Sequence, residues 1–170
     1  MKRRWHVIAD LVNQHGLTVG AEIGVAEGRF SAGLLSFCPD VRLWAIDDYR
    51  PGYKTWMGTE WDAQTQQTNN RAAVEVMNAS AGRMTLLLQS SLRAAEDFAE
   101  GELDFVFIDA DHAYEAVKAD ITAWRTKIRP EGWITGHDYD LRKFPGVVRA
   151  VEESFADFTL GDDRVWMARI

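Results

Sequence analysis

The sequence predicts an α/β fold built on a doubly wound, mostly parallel sheet. Three observations carry this expectation. Five short apolar runs alternate with segments of helical periodicity. The run Asp104-Phe105-Val106-Phe107-Ile108 is almost continuously apolar, as a strand covered on both faces must be. The chain closes on two strand-like segments, Phe158-Thr159-Leu160 and Val165-Trp166-Met167-Ala168, around Gly161-Asp162-Asp163-Arg164. That closing hairpin adds antiparallel pairing at one edge and brings the expected strands to seven.

Taken in order, residues 3–15 form a helix, because Trp5, Ile8, Ala9 and Val12 recur at helical spacing and Gly16 supplies a left-handed stop. Val19 to Ile23 is a buried strand ending at Gly24. Ser31 is placed to cap a short helix carrying Leu34, Leu35 and Phe37, which Pro39 limits. Leu43 to Ile46 is the second strand and stops at Asp47-Asp48. Residues 49–64 show no period, whereas Gln66 to Ala81 carries a helical pattern through Ala72, Ala73, Val76 and Met77. Met84 to Leu88 is the third strand, and Ser90 or Ser91 opens a helix with Leu92, Ala95 and Phe98 on one face. After the fourth strand, Ala113, Val117, Ile121, Trp124 and Ile128 step by 4, 4, 3 and 4 along a helix. Asp111 is its expected cap, and Pro130-Glu131-Gly132 its end. Trp133 to Gly136 is the fifth strand, and Pro145 suits the first turn of a helix through Val147, Val151 and Phe155.

The 170 residues suit one domain spanning 1–170. A hydrophobic fraction of 46% and a charged fraction of 26% exclude disordered and fibrous classes. Nineteen basic against 26 acidic residues give a formal charge of −7. With no basic stripe, neither nucleic acid nor an anionic membrane is an expected partner. Cys38 is the single cysteine, so no intrachain disulfide forms and a reducing, cytoplasmic setting is expected. The apolar segment Val7-Ile8-Ala9 is too short for a secretory signal core, and no run approaches a membrane span.

Ligands of such sheets bind beyond the carboxyl ends of the strands. The first strand ends Glu22-Ile23-Gly24-Val25-Ala26-Glu27-Gly28. A dinucleotide fingerprint begun at Gly24 would want glycine at position 26 and near 29, where Ala26 and Arg29 stand, and no phosphate loop with Gly-Lys-Ser/Thr occurs. An ordinary strand-to-helix turn and a ligand loop both fit this segment. Asp47 follows Gly28 by 19 residues, at the end of the second strand, where a carboxylate accepts both hydroxyls of a ribose.

Glu22-x-Gly-x-x-x-Gly together with Asp47 resembles the cofactor site of the class I methyltransferases that use S-adenosylmethionine, over essentially the whole chain. Two stretches, Phe107 to Asp120 (with Asp109-Ala110-Asp111-His112) and Gly132 to Tyr139 (with Gly136-His137-Asp138), resemble the small O-methyltransferases of the macrolide-sugar and cephalosporin type. The resemblance implies a Rossmann-like seven-stranded sheet and S-adenosylmethionine as cofactor. It implies cofactor contacts at Glu22, Gly24, Ala26, Gly28, Asp47, Asp48, Ser90, Ser91 and Asp109. It also implies His112 as general base and a divalent metal (magnesium, manganese or similar) at Asp109, His137 and Asp138.

His137 stands where that pattern more often has a carboxylate, and imidazole suits zinc, iron or manganese better than magnesium. It stays open between metal ligand, acceptor contact and bystander. Asp109 and Asp138 end adjacent expected strands, about 5 Å apart by sheet spacing, so they can converge on one ion. A histidine suits removal of an acceptor proton near neutral pH. The expected reaction is methyl transfer to a hydroxyl of a small molecule. Two alternatives stand beside it: a metal-independent methyltransferase acting on nitrogen or carboxylate, and a module that binds S-adenosylmethionine or a nucleotide without turnover. With no separate cap domain, acceptor recognition is expected from the 49–64 loop, the 139–145 segment or a second subunit. Within that loop, Trp56 and Trp61 are the candidate acceptor contacts, whereas Trp44, Trp124, Trp133 and Trp166 are expected in the core.

Overall fold

The computed structural model describes residues 2–54 and 57–170. Its main sheet has the strand order β5-β2-β1-β6-β7-β9-β8. The first five of these are β5 (Met84–Leu87), β2 (Arg42–Ile46), β1 (Val19–Ile23), β6 (Leu103–Ile108) and β7 (Ile128–Gly136). They pair in parallel. β9 (Trp166–Arg169) runs antiparallel to β7, and β8 (Thr159–Leu160) antiparallel to β9. The expected seven-stranded, mostly parallel sheet with an antiparallel C-terminal hairpin is therefore the observed one.

Strand pleating sorts the core onto two faces. Phe105 and Phe107 point to one, where they pack with α1 (Arg4–His15), α2 (Arg29–Phe37) and α3 (Ala63–Ala79). Val106 and Ile108 point to the other, toward α4 (Ser91–Ala95), α5 (Tyr114–Arg125) and α6 (Pro145–Ser154). On the first face Phe30 stacks on Phe107 at 3.9 Å between ring centres. Gly20 leaves room there for the Phe105 ring, which a Cβ would meet at 2.2 Å. On the second face Trp124 is fully buried, and its Nε1 donates to Ser91 Oγ at 2.9 Å. Trp166 is buried too, while Trp44 and Trp133 are only partly covered.

Several elements differ from their sequence reading. Ser31 does not cap α2. The helix begins at Arg29 after Gly28, and the Ser31 hydroxyl is buried and donates to Glu22 instead. α5 starts at Tyr114, and Asp111 caps the preceding turn by accepting from the Ala113 N–H at 2.8 Å. That helix stops at Arg125, and Ile128, which keeps its apolar phase, already belongs to β7. Pro130 lies inside β7 because the pairing with β6 slips between Leu103 and Phe105, so no ladder bond is asked of its nitrogen. The aperiodic 49–64 segment contains a small antiparallel hairpin, β3 (Tyr53–Lys54) and β4 (Glu60–Trp61). The Trp56 expectation falls outside the described residues. Among those residues no helix is long and apolar enough to cross a membrane.

Trp124 is the largest side chain tying α5 to the sheet, so Trp124→Ala is expected to cost roughly 3–5 kcal/mol. Urea unfolding checks this, and the less disruptive Trp124→Phe, which leaves Ser91 without its donor, is expected to cost clearly less.

Candidate active site

The carboxyl ends of β1, β2, β5 and β6 open on a crevice of about 640 Å³. Of the expected cofactor residues, Gly24, Ala26, Asp47, Asp48, Ser90, Ser91 and Asp109 line it. Tyr53 and Trp61 from the hairpin and Gln66 from α3 join them; the sequence reading pointed to the aromatic residues of the loop that holds the hairpin and did not point to Gln66.

The turn after β1 is fixed by close approach. Gly24 has φ +88°, and a Cβ there would lie 2.4 Å from the Asp109 carbonyl oxygen, so the position accepts only glycine. Ala26 holds φ 48° without being glycine. Its N–H donates to Asp47 Oδ2 at 3.0 Å, beside that of Val25 at 2.9 Å, and Tyr49 Oη donates to its carbonyl at 2.9 Å. Asp47 Oδ1 accepts only the Tyr49 N–H among these bonds, at 2.9 Å. Gly28 faces away from the crevice, against Ala73 and Val76 of α3.

Glu22 lies beneath the turn, 2% exposed, with Ser31 Oγ donating to it. Burial pushes its carboxyl up to about 8, against the opposing pull of the Ser31 bond. Ser91 is committed to structure, donating to Asp120 and accepting from Trp124. Burial likewise raises Asp120 to about 6. Ser90 caps α4 without a side-chain bond to the helix.

At the ends of β6 and β7 the expected metal and base residues converge. His112 Nε2 lies 2.8 Å from Asp138 Oδ2, and Tyr53 Oη lies 2.9 Å from His112 Nδ1. His112 stacks on Phe144 at 4.4 Å and borders a second hollow of about 390 Å³ with Tyr114 and Lys143. His137 Nδ1 sits 3.1 Å from Asp138 Oδ1 and 3.5 Å from Asp109 Oδ1, and its Nε2 is 3.9 Å from Asp163 Oδ2. Burial opposes a charged His137, but the Asp109 and Asp138 carboxylates outweigh it and push the ring up to about 9. For Asp138 burial opposes ionisation, and His112 and His137 together hold the carboxyl well below its usual range. Two guanidinium groups close the cluster: Arg4 Nε lies 3.4 Å from Asp109 Oδ2, and Arg164 Nη1 3.4 Å from Asp138 Oδ1.

The donors fit a divalent cation. Asp109, His137 and Asp138 each offer one ligand atom within 4.8 Å of the others. Both ring nitrogens of His137 are buried without an aligned hydrogen-bond partner.

An open parallel sheet with a glycine turn after β1 and a carboxylate after β2 is the architecture of a class I S-adenosylmethionine-dependent methyltransferase. Residues 21–139 match the model of a family described as a methyltransferase domain, and the chain belongs to that family. No protein of curated function matches the chain significantly in sequence. Among solved structures it is similar to a provisionally assigned caffeoyl-CoA O-methyltransferase from Staphylococcus aureus, with TM-score 0.72 and 16% identity over 99% of this chain and 84% of that one. It is also similar to the O-methyltransferase TomG of tomaymycin synthesis from Streptomyces achromogenes, with TM-score 0.70 and 16% identity over 98% and 79%. A provisionally assigned rRNA methylase from Clostridium thermocellum has TM-score 0.68 and 11% identity over 100% and 97%. At such identities the likeness is one of fold.

The buried Glu22 has a measurable consequence for stability. Between its ordinary value of 4.5 and its folded value of about 8, the unfolded chain has lost a proton that the folded chain keeps. Glu22 therefore withdraws stability as pH rises through that window. Glu22→Gln retains an acceptor for Ser31 and is expected to flatten the pH dependence of the urea midpoint across it. An unchanged slope would show that Glu22 ionises at its ordinary value.

Proposed function

We propose that the protein transfers the methyl group of S-adenosylmethionine to a hydroxyl of a small-molecule acceptor. The observation that carries this reading is the charge of the crevice: Asp47, Asp48, Asp109, Asp111 and Asp120 line it, and among the described residues Arg50 is the one cation of its lining. Such a surface attracts a sulfonium and a ribose and repels the pyrophosphate of a dinucleotide. Asp47 Oδ1 keeps acceptor capacity for a ribose hydroxyl, and Ser90, which lines the crevice and does not spend its hydroxyl on the helix cap, is available to the adenine. Ile46 and Leu92 give the crevice an apolar wall for an adenine ring.

Bound S-adenosylmethionine supplies an electrophilic methyl group. Asp138, held ionised, accepts from His112 Nε2–H and so leaves the lone pair on Nδ1. His112 Nδ1 is then placed to take the acceptor proton as its oxygen becomes nucleophilic. Asp109, His137 and Asp138 would hold a divalent cation, which supplies positive charge that lowers the pKa of a bound hydroxyl. Arg4 and Arg164 brace the same carboxylates from outside. Trp61, beside Tyr53 in the crevice, offers an apolar face for the acceptor.

Calorimetry is expected to detect S-adenosylmethionine binding, with affinity lowered about tenfold or more in Asp47→Ala, which loses both the turn anchor and the ribose acceptor. No detectable heat at millimolar ligand would refute the cofactor assignment. In methyl-transfer assays over hydroxylated small molecules, His112→Ala is expected to lower the rate about 10²–10⁴-fold, the range for loss of a general base. Exhaustive chelation is expected to abolish transfer, and activity that survives it would remove the metal from the account while leaving the base in place.

A further inference from the structure

Both nitrogens of His112 are already engaged. Asp138 takes Nε2 at 2.8 Å, and Tyr53 Oη stands 2.9 Å from Nδ1. Tyr53 reaches this point from the β3–β4 hairpin, 59 residues away in sequence, with its ring 5.1 Å from that of Trp61. An ionised carboxylate has no proton to give, so Nε2 carries the hydrogen and Nδ1 accepts. The Tyr53 hydroxyl thus donates to the one ring nitrogen able to act as a base.

A hydroxyl donating to that nitrogen is what a methyl acceptor has to present. We propose that Tyr53 Oη holds the acceptor-hydroxyl position at His112, so that an acceptor binds by displacing it and Tyr53 determines which hydroxyls gain access to the base. The proposal rests on His112 being that base. A relay through Tyr53 is opposed by its surroundings. Passing a proton on would leave a phenolate in a half-buried site facing Asp109, Asp111 and Asp138, and burial together with these carboxylates holds the phenol well above its usual range. Tyr53 therefore keeps its proton and acts as a specificity-determining residue, competing with acceptors for one hydrogen bond.

Carbethoxylation by diethyl pyrocarbonate, followed residue by residue by peptide mass spectrometry on the full chain, reads access to His112. His6 and His15, which reach the surface, serve as internal references. Tyr53→Phe keeps the ring against Trp61 and removes only the hydroxyl. It is expected to speed labelling of His112 about fivefold, the weight of one hydrogen bond, with the reference rates unchanged. In Tyr53→Ala, added phenol is expected to refill the space and slow His112 labelling again, while leaving the wild-type rate unaffected. An unchanged His112 rate in Tyr53→Phe, or no effect of phenol on Tyr53→Ala, would overturn the proposal. Labelling needs no methyl transfer, so this outcome stands apart from the cofactor assignment that calorimetry decides.

Discussion

The carboxylate of Asp138 is the contact on which the site depends. It stands two residues beyond β7 on a backbone with φ 57°, a conformation that a Cβ disfavours, and the surrounding contacts hold it there. One oxygen takes His112 Nε2, and the other faces His137 and Arg164. Through these contacts the end of β7 is joined to the entry of α5 and to the C-terminal turn. Without a compensated charge at this point, His112 would lose its orientation and the neighbouring Asp109 would lose a shared counter-charge.

The wider problem that the fold solves is the crowding of acids at one end of a parallel sheet. Glu22, Asp47, Asp109, Asp138 and Asp163 all lie near the ends of β1, β2, β6 and β7 or against them, and several means offset their charge. Glu22 keeps its proton, Asp47 collects backbone N–H groups, and Asp109 and Asp138 face imidazole and guanidinium. The two ends of the chain meet over this region. Arg4 N–H donates to Asp163 Oδ2 at 2.9 Å while its side chain approaches Asp109. The first helix and the closing turn are thus parts of the site as well as of the scaffold.

The sheet was legible because strands covered on both faces are written as apolar runs, and β1, β2, β5 and β6 fall within a residue or two of those runs. The motif residues at their ends were legible too, since glycine spacing and acids at strand ends are local signals. What stayed hidden depends on distant partners. Ser31 has the chemistry of a cap, and only the fold brings Glu22 beneath it. Ile128 continues the helical phase of α5 although pairing with Leu103 makes it strand. Arg4, Asp163 and Arg164 carry no motif, because their role arises from contacts across nearly the whole chain. Tyr53 lies in a segment without period, and a two-residue hairpin leaves no pattern to find.

The central claim, that the carboxyl ends of the strands form the cofactor site, is tested most directly by amide hydrogen exchange with and without S-adenosylmethionine. Slowed exchange is predicted in residues 23–28, 46–49 and 89–92, which form the turn after β1, the carboxylate pair after β2 and the wall of the crevice. The outer helix α6 is predicted to remain unchanged. Protection confined to other segments, with these three unaffected by saturating ligand, would contradict it.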